Sequence, residues 1–255
     1  HSSIFVKLIY HVSTINVDSS AKENEMKKFS IWIIAIGVAT LTACGGGGGG
    51  GSAPTVSTSD YQLRQAWVNY VTQSGSKNFT LSGSVNGVTV TGSGTATRGS
   101  LTSGTFEGMP AQAKSVSVTG SLNASGQTLP YGSTSVAYFD SNYLPLGVAA
   151  QEYKVVVGTP VIPQTAKIND TGNLYTATRY QSSQKSYSLG TVTVSYVLQP
   201  DTANTALLKV IMTEKTTSGV TESTDINTYR MTPAGELTPL KEEYQQGSTA
   251  LTLNY

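Results

Sequence analysis

Between Asp60 and Val71 the apolar residues Leu63, Trp67, Tyr70 and Val71 recur at spacings of three and four, with Gln62, Arg64, Gln65 and Asn69 between them. That period predicts an amphipathic helix over residues 60–71 with one apolar stripe. Ser59 or Asp60 is placed to cap its start, and Gly75 follows its end. Trp67 reads as the anchor that docks this helix on a sheet, because a large aromatic chiefly supplies buried area.

After Gly75 the period changes to two. Asn86-Gly87 is the clearest hairpin turn in the chain. A two-residue loop there sets Val85 opposite Val88, Gly83 opposite Val90, Leu81 opposite Gly92 and Phe79 opposite Gly94. All eight share one face, so Phe79 and Leu81 cover glycines across the strand. Further alternation runs through Ser115–Thr119 and Thr191–Tyr196. Leu207–Met212 is apolar on both faces, which predicts a central strand with one face on the core and the other under a helix or second sheet.

Turn chemistry recurs at Asn169–Gly172, Pro200-Asp201, Ser218-Gly219, Pro233–Gly235 and Gln246–Ser248. Such spacing suits sequential antiparallel strands without crossover helices. Pro145, Pro160 and Pro163 flank the run Tyr153–Val157; they interrupt pairing and can mark a boundary between two β layers. The expected fold is mainly β: a curved antiparallel meander or partly closed barrel with one N-terminal amphipathic helix.

The first 58 residues follow a different pattern. Met26-Lys27-Lys28 is basic, Ile31–Leu41 is largely apolar, and small residues lead to Cys44, the only cysteine. A positive start, a short apolar run and small residues make up a secretory signal. The run is too short for the ~20 residues that span a bilayer as a helix. Leu41-Thr42-Ala43-Cys44 resembles the lipobox of bacterial lipoproteins, over a stretch covering residues 26–51. The resemblance implies diacylation of the Cys44 thiol, cleavage before it and acylation of the new amino group. Two or more acyl chains give stable anchorage where one holds only marginally. Gly45 at the following position is compatible with passage to the outer membrane.

Seven glycines, Gly45–Gly51, then lead into a Ser/Thr-rich stretch. No Lys-Ser/Thr closes this run, so it is a flexible tether and not a phosphate loop. The expected organisation is therefore an upstream extension over 1–25, ahead of a natural start at Met26. A signal peptide over 26–43, a lipidated tether over 44–58 and a mainly β domain over 59–255 follow.

Charge narrows the functional classes. The chain has 16 basic and 15 acidic residues. Removing the four basic and three acidic residues before Cys44 leaves twelve of each sign. A neutral domain has no basic field for phosphates, so nucleic acid is not an expected partner. The expected partners are the membrane, through acyl chains on Cys44, and an envelope protein, glycan or lipid.

Both histidines, His1 and His11, precede the signal, so the domain has no imidazole and, once Cys44 is acylated, no thiol. Ser-His-Asp, Cys-His and the usual zinc chemistries lack their groups. No catalytic residue, metal or cofactor is expected. Ser74/Lys77 and Ser182/Lys185 have Ser-x-x-Lys spacing, but in so Ser-rich a chain such pairs arise by chance, and their companion motifs are missing. Asn169–Asn173 has some likeness to a calcium loop, yet Tyr180 occupies the position that needs a bidentate glutamate.

Glu214, Glu222 and Asp225 flank the Ser218-Gly219 turn and can converge across a hairpin, as two carboxylates do in glycoside cleavage. The simpler expectation is a solvated charged edge, with Lys215 and Arg230 as partners. The leading expectation is a non-enzymatic binding or scaffolding lipoprotein of the cell envelope. A carrier of acyl chains or lipoproteins in a sheet concavity comes second, and a carboxylate-dependent hydrolase third.

Overall fold

A computed structural model describes residues 57–255. The expected signal, lipobox and Cys44 lie outside the described residues. After one helix, α1 (Leu63–Thr72), the chain runs through twelve strands. These are β1 (Gly75–Val85), β2 (Val88–Phe106), β3 (Met109–Ala124), β4 (Gln127–Phe139), β5 (Pro145–Ala149) and β6 (Tyr153–Val157). They continue with β7 (Thr171–Tyr180), β8 (Ser188–Pro200), β9 (Ala206–Lys215), β10 (Thr221–Met231), β11 (Leu237–Gln246) and β12 (Thr249–Asn254).

Each strand pairs antiparallel with the next, and β12 returns to β1, so the sheet is a closed barrel. The expected mainly β meander with one N-terminal helix is present, and its closure is complete. The turn at Asn86-Gly87 has both residues at positive φ, 50° and 82°, as a two-residue hairpin of this twist requires. It sets β1 against β2 in the register read from the sequence, with Phe79 opposite Gly94 and Leu81 opposite Gly92.

Two expectations are corrected. The proline-flanked stretch from Tyr143 to Pro163 does not separate two layers. It forms the short strands β5 and β6, which carry the same wall from β4 to β7. Nor does β9 lie beneath a second layer. Leu208 and Met212 are buried inside the barrel, whereas Leu207 and Ile211 face out and are half-buried beside sheet neighbours such as Ile226.

The outward positions of the first three strands carry short polar side chains, such as Asn78, Thr80, Thr95, Ser93, Thr119 and Ser121. A barrel that crosses a bilayer presents an outward apolar band. Most of the large apolar side chains of this one lie inside, with Leu207 and Ile211 among the exceptions.

The interior divides into two clusters. One is built on Phe79, Leu81, Val90, Leu122, Tyr131 and Leu253 from β1–β4 and β12. The other, from α1 and β7–β10, gathers Leu63, Leu174, Val194, Leu198, Leu208 and Met231.

The helix begins later than its sequence suggests, and neither Ser59 nor Asp60 caps it. Gln62 holds the cap position without a side-chain hydrogen bond. Its first amides are satisfied by the barrel instead. The Gln62 amide donates to the Pro233 carbonyl at 3.0 Å and the Arg64 amide to the Gln164 carbonyl at 3.2 Å, while Tyr61, just before the helix, exchanges backbone hydrogen bonds with Ala166 at 2.9 Å each way. Tertiary partners have replaced the local cap.

Candidate functional site

The candidate site is the space enclosed by α1 and the barrel wall. Four contacts hold the helix there. Asn69 Nδ2 donates to the Gly235 carbonyl at 2.9 Å, and Trp67 Nε1 to the Tyr143 carbonyl at 2.6 Å. Arg64 reaches the Asn142 carbonyl. Lys114 Nζ, from β3, donates to the Val71 carbonyl at 2.6 Å and to that of Gln73. Those carbonyls close the helix C-terminus, where the peptide dipoles favour a cation.

The helix also needs one close approach. At Gly235, φ is 88°, and an added Cβ would lie 2.8 Å from both the Ala66 nitrogen and the Gln62 oxygen. Trp67 sits among Tyr70, Phe139 and Tyr175, with ring centroids 6.1, 6.4 and 6.3 Å away. It is the docking anchor expected from the sequence.

Behind α1 lies a cavity of about 80 Å³, lined almost wholly by apolar side chains. Trp67 and Ala66 of the helix form one side; Val116, Phe139, Val192, Leu208 and Met212 are among those opposite. Its polar groups come from Lys114, Ser135, Lys154 and several tyrosines. Burial raises the Tyr175 hydroxyl to about 12, so this phenol stays protonated over the ordinary pH range.

One ladder of the inner face organises these groups. Lys114 of β3 pairs with Ala137 of β4, Ala137 with Val148 of β5, Val148 with Lys154 of β6, and Lys154 with Arg179 of β7. Three cations thus share one row, and all are buried. Two are neutralised. Lys154 meets Glu214 at 2.5 Å and Glu152 at 3.7 Å. Arg179 meets Glu152 at 2.7 Å, Glu222 at 2.7 Å and Glu214 at 3.4 Å.

Glu214 also accepts from Ser223 Oγ at 3.0 Å. Burial alone would raise its pKa, but Lys154 and Arg179 hold it below the usual carboxylate range. Lys114 is different: among the described residues it forms no ion pair, and its two partners are neutral carbonyls. Burial, helped by the charge of Arg98, pushes its pKa down to about 8.

A second polar group lies further round the barrel. Glu242 of β11 is buried beside Asp225 of β10, and Asn227 Nδ2 donates to Asp225 at 2.9 Å. Burial and the Asp225 carboxylate push Glu242 well above the usual range, against the pull of Arg98 and Tyr255. Arg98 in turn lies over the Tyr70 ring, 4.6 Å from its centroid.

The three carboxylates singled out in the sequence therefore part company. Glu214 and Glu222 converge on Arg179, and Asp225 turns to Glu242. The expected partners Lys215 and Arg230 are not involved: Lys215 is exposed, and Arg230 pairs with Asp201 at 2.7 Å. No sheet edge remains there for charges to guard. The Ser-x-x-Lys spacing brings no base to its serine at 182, since Ser182 Oγ donates to Gln184 and Lys185 pairs with Glu107. The turn lies at Ile168-Asn169, with Asp170 accepting the Lys167 amide at 2.7 Å, and Thr171 and Gly172 already open β7.

Lys114, Lys154, Arg98 and Glu242 were missed by sequence reasoning, although parity could have found some of them. Lys114 alternates in step with Val116 and Val118, and Glu242 with Tyr244, so each falls on the core face of its strand. In class, this is a closed antiparallel barrel with a helix set against its interior. No family, characterised protein or solved structure matches the chain in comparisons of sequence and fold.

Proposed function

We propose that the chain is a lipid-tethered protein of the bacterial envelope whose barrel is a non-enzymatic binding module. Its binding compartment is the cavity behind α1. The observation that carries this reading is the cavity itself, an apolar space with a few convergent polar groups inside a rigid wall. The buried carboxylates are held in ion pairs with Lys154 and Arg179 or in contact with each other, an arrangement suited to holding a structure together. Cys44 and the glycine run supply the tether, by their resemblance to a lipoprotein start.

A carrier for long acyl chains asks for more room than about 80 Å³, so α1 would have to leave the barrel to admit one. The test is expression of the full chain in a diderm bacterium, followed by membrane fractionation and native mass spectrometry. The wild type is expected in the membrane fraction, acylated at Cys44 and carrying a small bound molecule. Cys44→Ser is expected in the soluble fraction with the same bound mass. An unmodified thiol together with an empty barrel would refute the proposal.

A further inference from the structure

We infer that the cavity takes a small monocarboxylate with a short aliphatic body, and that Lys114 receives its anionic end. This rests on the reading of the cavity as a binding compartment and names its ligand class.

The argument starts from charge balance along the inner ladder. Lys114, Lys154 and Arg179 are all at least nine-tenths buried. Glu152, Glu214 and Glu222 neutralise the last two. Lys114 has only the carbonyls of Val71 and Gln73, which satisfy two of its three N–H bonds and cancel none of its charge. An uncompensated buried charge is costly, and an anion brought beside it removes that cost.

The charged and titratable groups packed nearby do not supply that anion. Arg98 of β2 adds a second positive charge, and Tyr70 of α1, its phenol held protonated by burial, lies with its ring face under Arg98. Glu242 is protonated more readily than an ordinary carboxyl and faces Asp225, Arg98 and Tyr255. Lys154, on the far side of the cavity, is committed to Glu214.

The remaining lining fixes the body of the ligand. Between the two lysines the row carries only Ala137 and Val148, and the rest of the lining mixes aliphatic side chains such as Val116, Val194 and Met212 with aromatic rings such as Trp67 and Phe139. Ser135 lies two positions from Ala137 on the same inward face, where its hydroxyl is a second donor beside the Lys114 end. The space is about 80 Å³, against ~150 Å³ for an apolar cavity that admits benzene. A short chain fits where an aromatic ring or a long acyl tail does not.

The test is a methyl NMR titration of the full chain with butyrate and, separately, with 1-butanol, read at Met212, Val116 and Val194. Butyrate is expected to shift these signals saturably. Lys114→Met is expected to weaken butyrate about tenfold or more, with 1-butanol changed by less than about twofold. Raising the pH from about 7 to about 9, through the Lys114 pKa of about 8, should weaken butyrate alone.

Ala137→Leu keeps Lys114 and fills the space, so it should abolish both ligands. It also tests the site if Lys114→Met does not fold. Equal binding of both ligands, unaffected by Lys114→Met or by pH, would overturn the monocarboxylate and leave the binding compartment standing. No shift with either ligand would overturn both. Undiminished butyrate binding in Ala137→Leu would place the site elsewhere and overturn the inference.

Discussion

The two interior clusters of this barrel fill their space in opposite ways. Around β1–β4 the inner face is rich in glycine, and aromatic rings from the facing strands lie on it. An added Cβ at Gly94 would stand 2.7 Å from both Phe79 Cζ and Tyr131 Oη, and one at Gly120 would stand 2.7 Å from Tyr131 Oη. Around β5–β10, and at the ends of β3 and β4 where Lys114 pairs with Ala137, the inner face carries branched aliphatic and charged side chains instead, and the helix laid against them leaves a cavity. Glycine against aromatic makes a solid half. Side chain against side chain, with buried ion pairs that must keep their geometry, makes a hollow one. Close packing and room for a ligand are thus separated within a single sheet.

The largest expected effect breaks the hollow half. Arg179→Met strands three glutamates against Lys154 alone, and losing one side of a buried ion-pair network costs about 3–5 kcal/mol. Glu222 is 37% exposed, so about 3 kcal/mol is the expected loss in urea unfolding. Unchanged stability would mean that the network contributes nothing.

Next comes overpacking of the solid half. Gly94→Val is expected to lose about 3 kcal/mol, because its Cβ would run into the backbone carbonyl of Thr119 as well as into Phe79 and Tyr131. The matching change in the hollow half, Ala137→Val, points into the cavity and should alter stability by less than about 1 kcal/mol in either direction. Equal losses at the two sites would erase the comparison.

The smallest effect is one of pH, and its sign differs between two carboxyls. Glu214 has a lowered folded pKa, so its stabilisation is present above the ordinary carboxylate range and is lost as pH falls through the folded value. Glu242 has a raised folded pKa. Its contribution is complete at acid pH and is lost as pH rises from the ordinary range through the folded value. Glu242→Gln, which mimics the protonated acid, should flatten that second limb and raise the melting temperature near neutral pH. An unchanged pH profile would show that Glu242 titrates normally.

Much of this was legible along the chain, wherever the determinant was local. Asn86-Gly87 admits few backbone geometries, and the glycines opposite Phe79 and Leu81 fit one register only, so the first hairpin followed residue by residue. The start of α1 did not follow, because its amides are satisfied by Pro233 and Gln164, about a hundred or more positions away. Closure of the barrel was equally hidden, since nothing local to Thr80 indicates that its partner is Asn254. The polar interior was half legible. Parity puts Lys114 on the core side, but that it, Lys154 and Arg179 share one row depends on the summed register of five strands. The same dependence explains why Glu214 and Asp225, close in sequence and both buried, serve different neighbours.

The pairing of β1 with β12 has a consequence for how the molecule comes into being. Until Leu251 and Leu253 arrive beside Leu81 and Gly83, β1 keeps one side bare, and every shorter intermediate exposes two unmatched rims. Contacts between such distant parts form slowly, because a long stretch of chain must be gathered before they are rewarded. Arrival of β12 therefore acts as a clock: it sets the moment at which a sticky, open ribbon becomes a sealed ring.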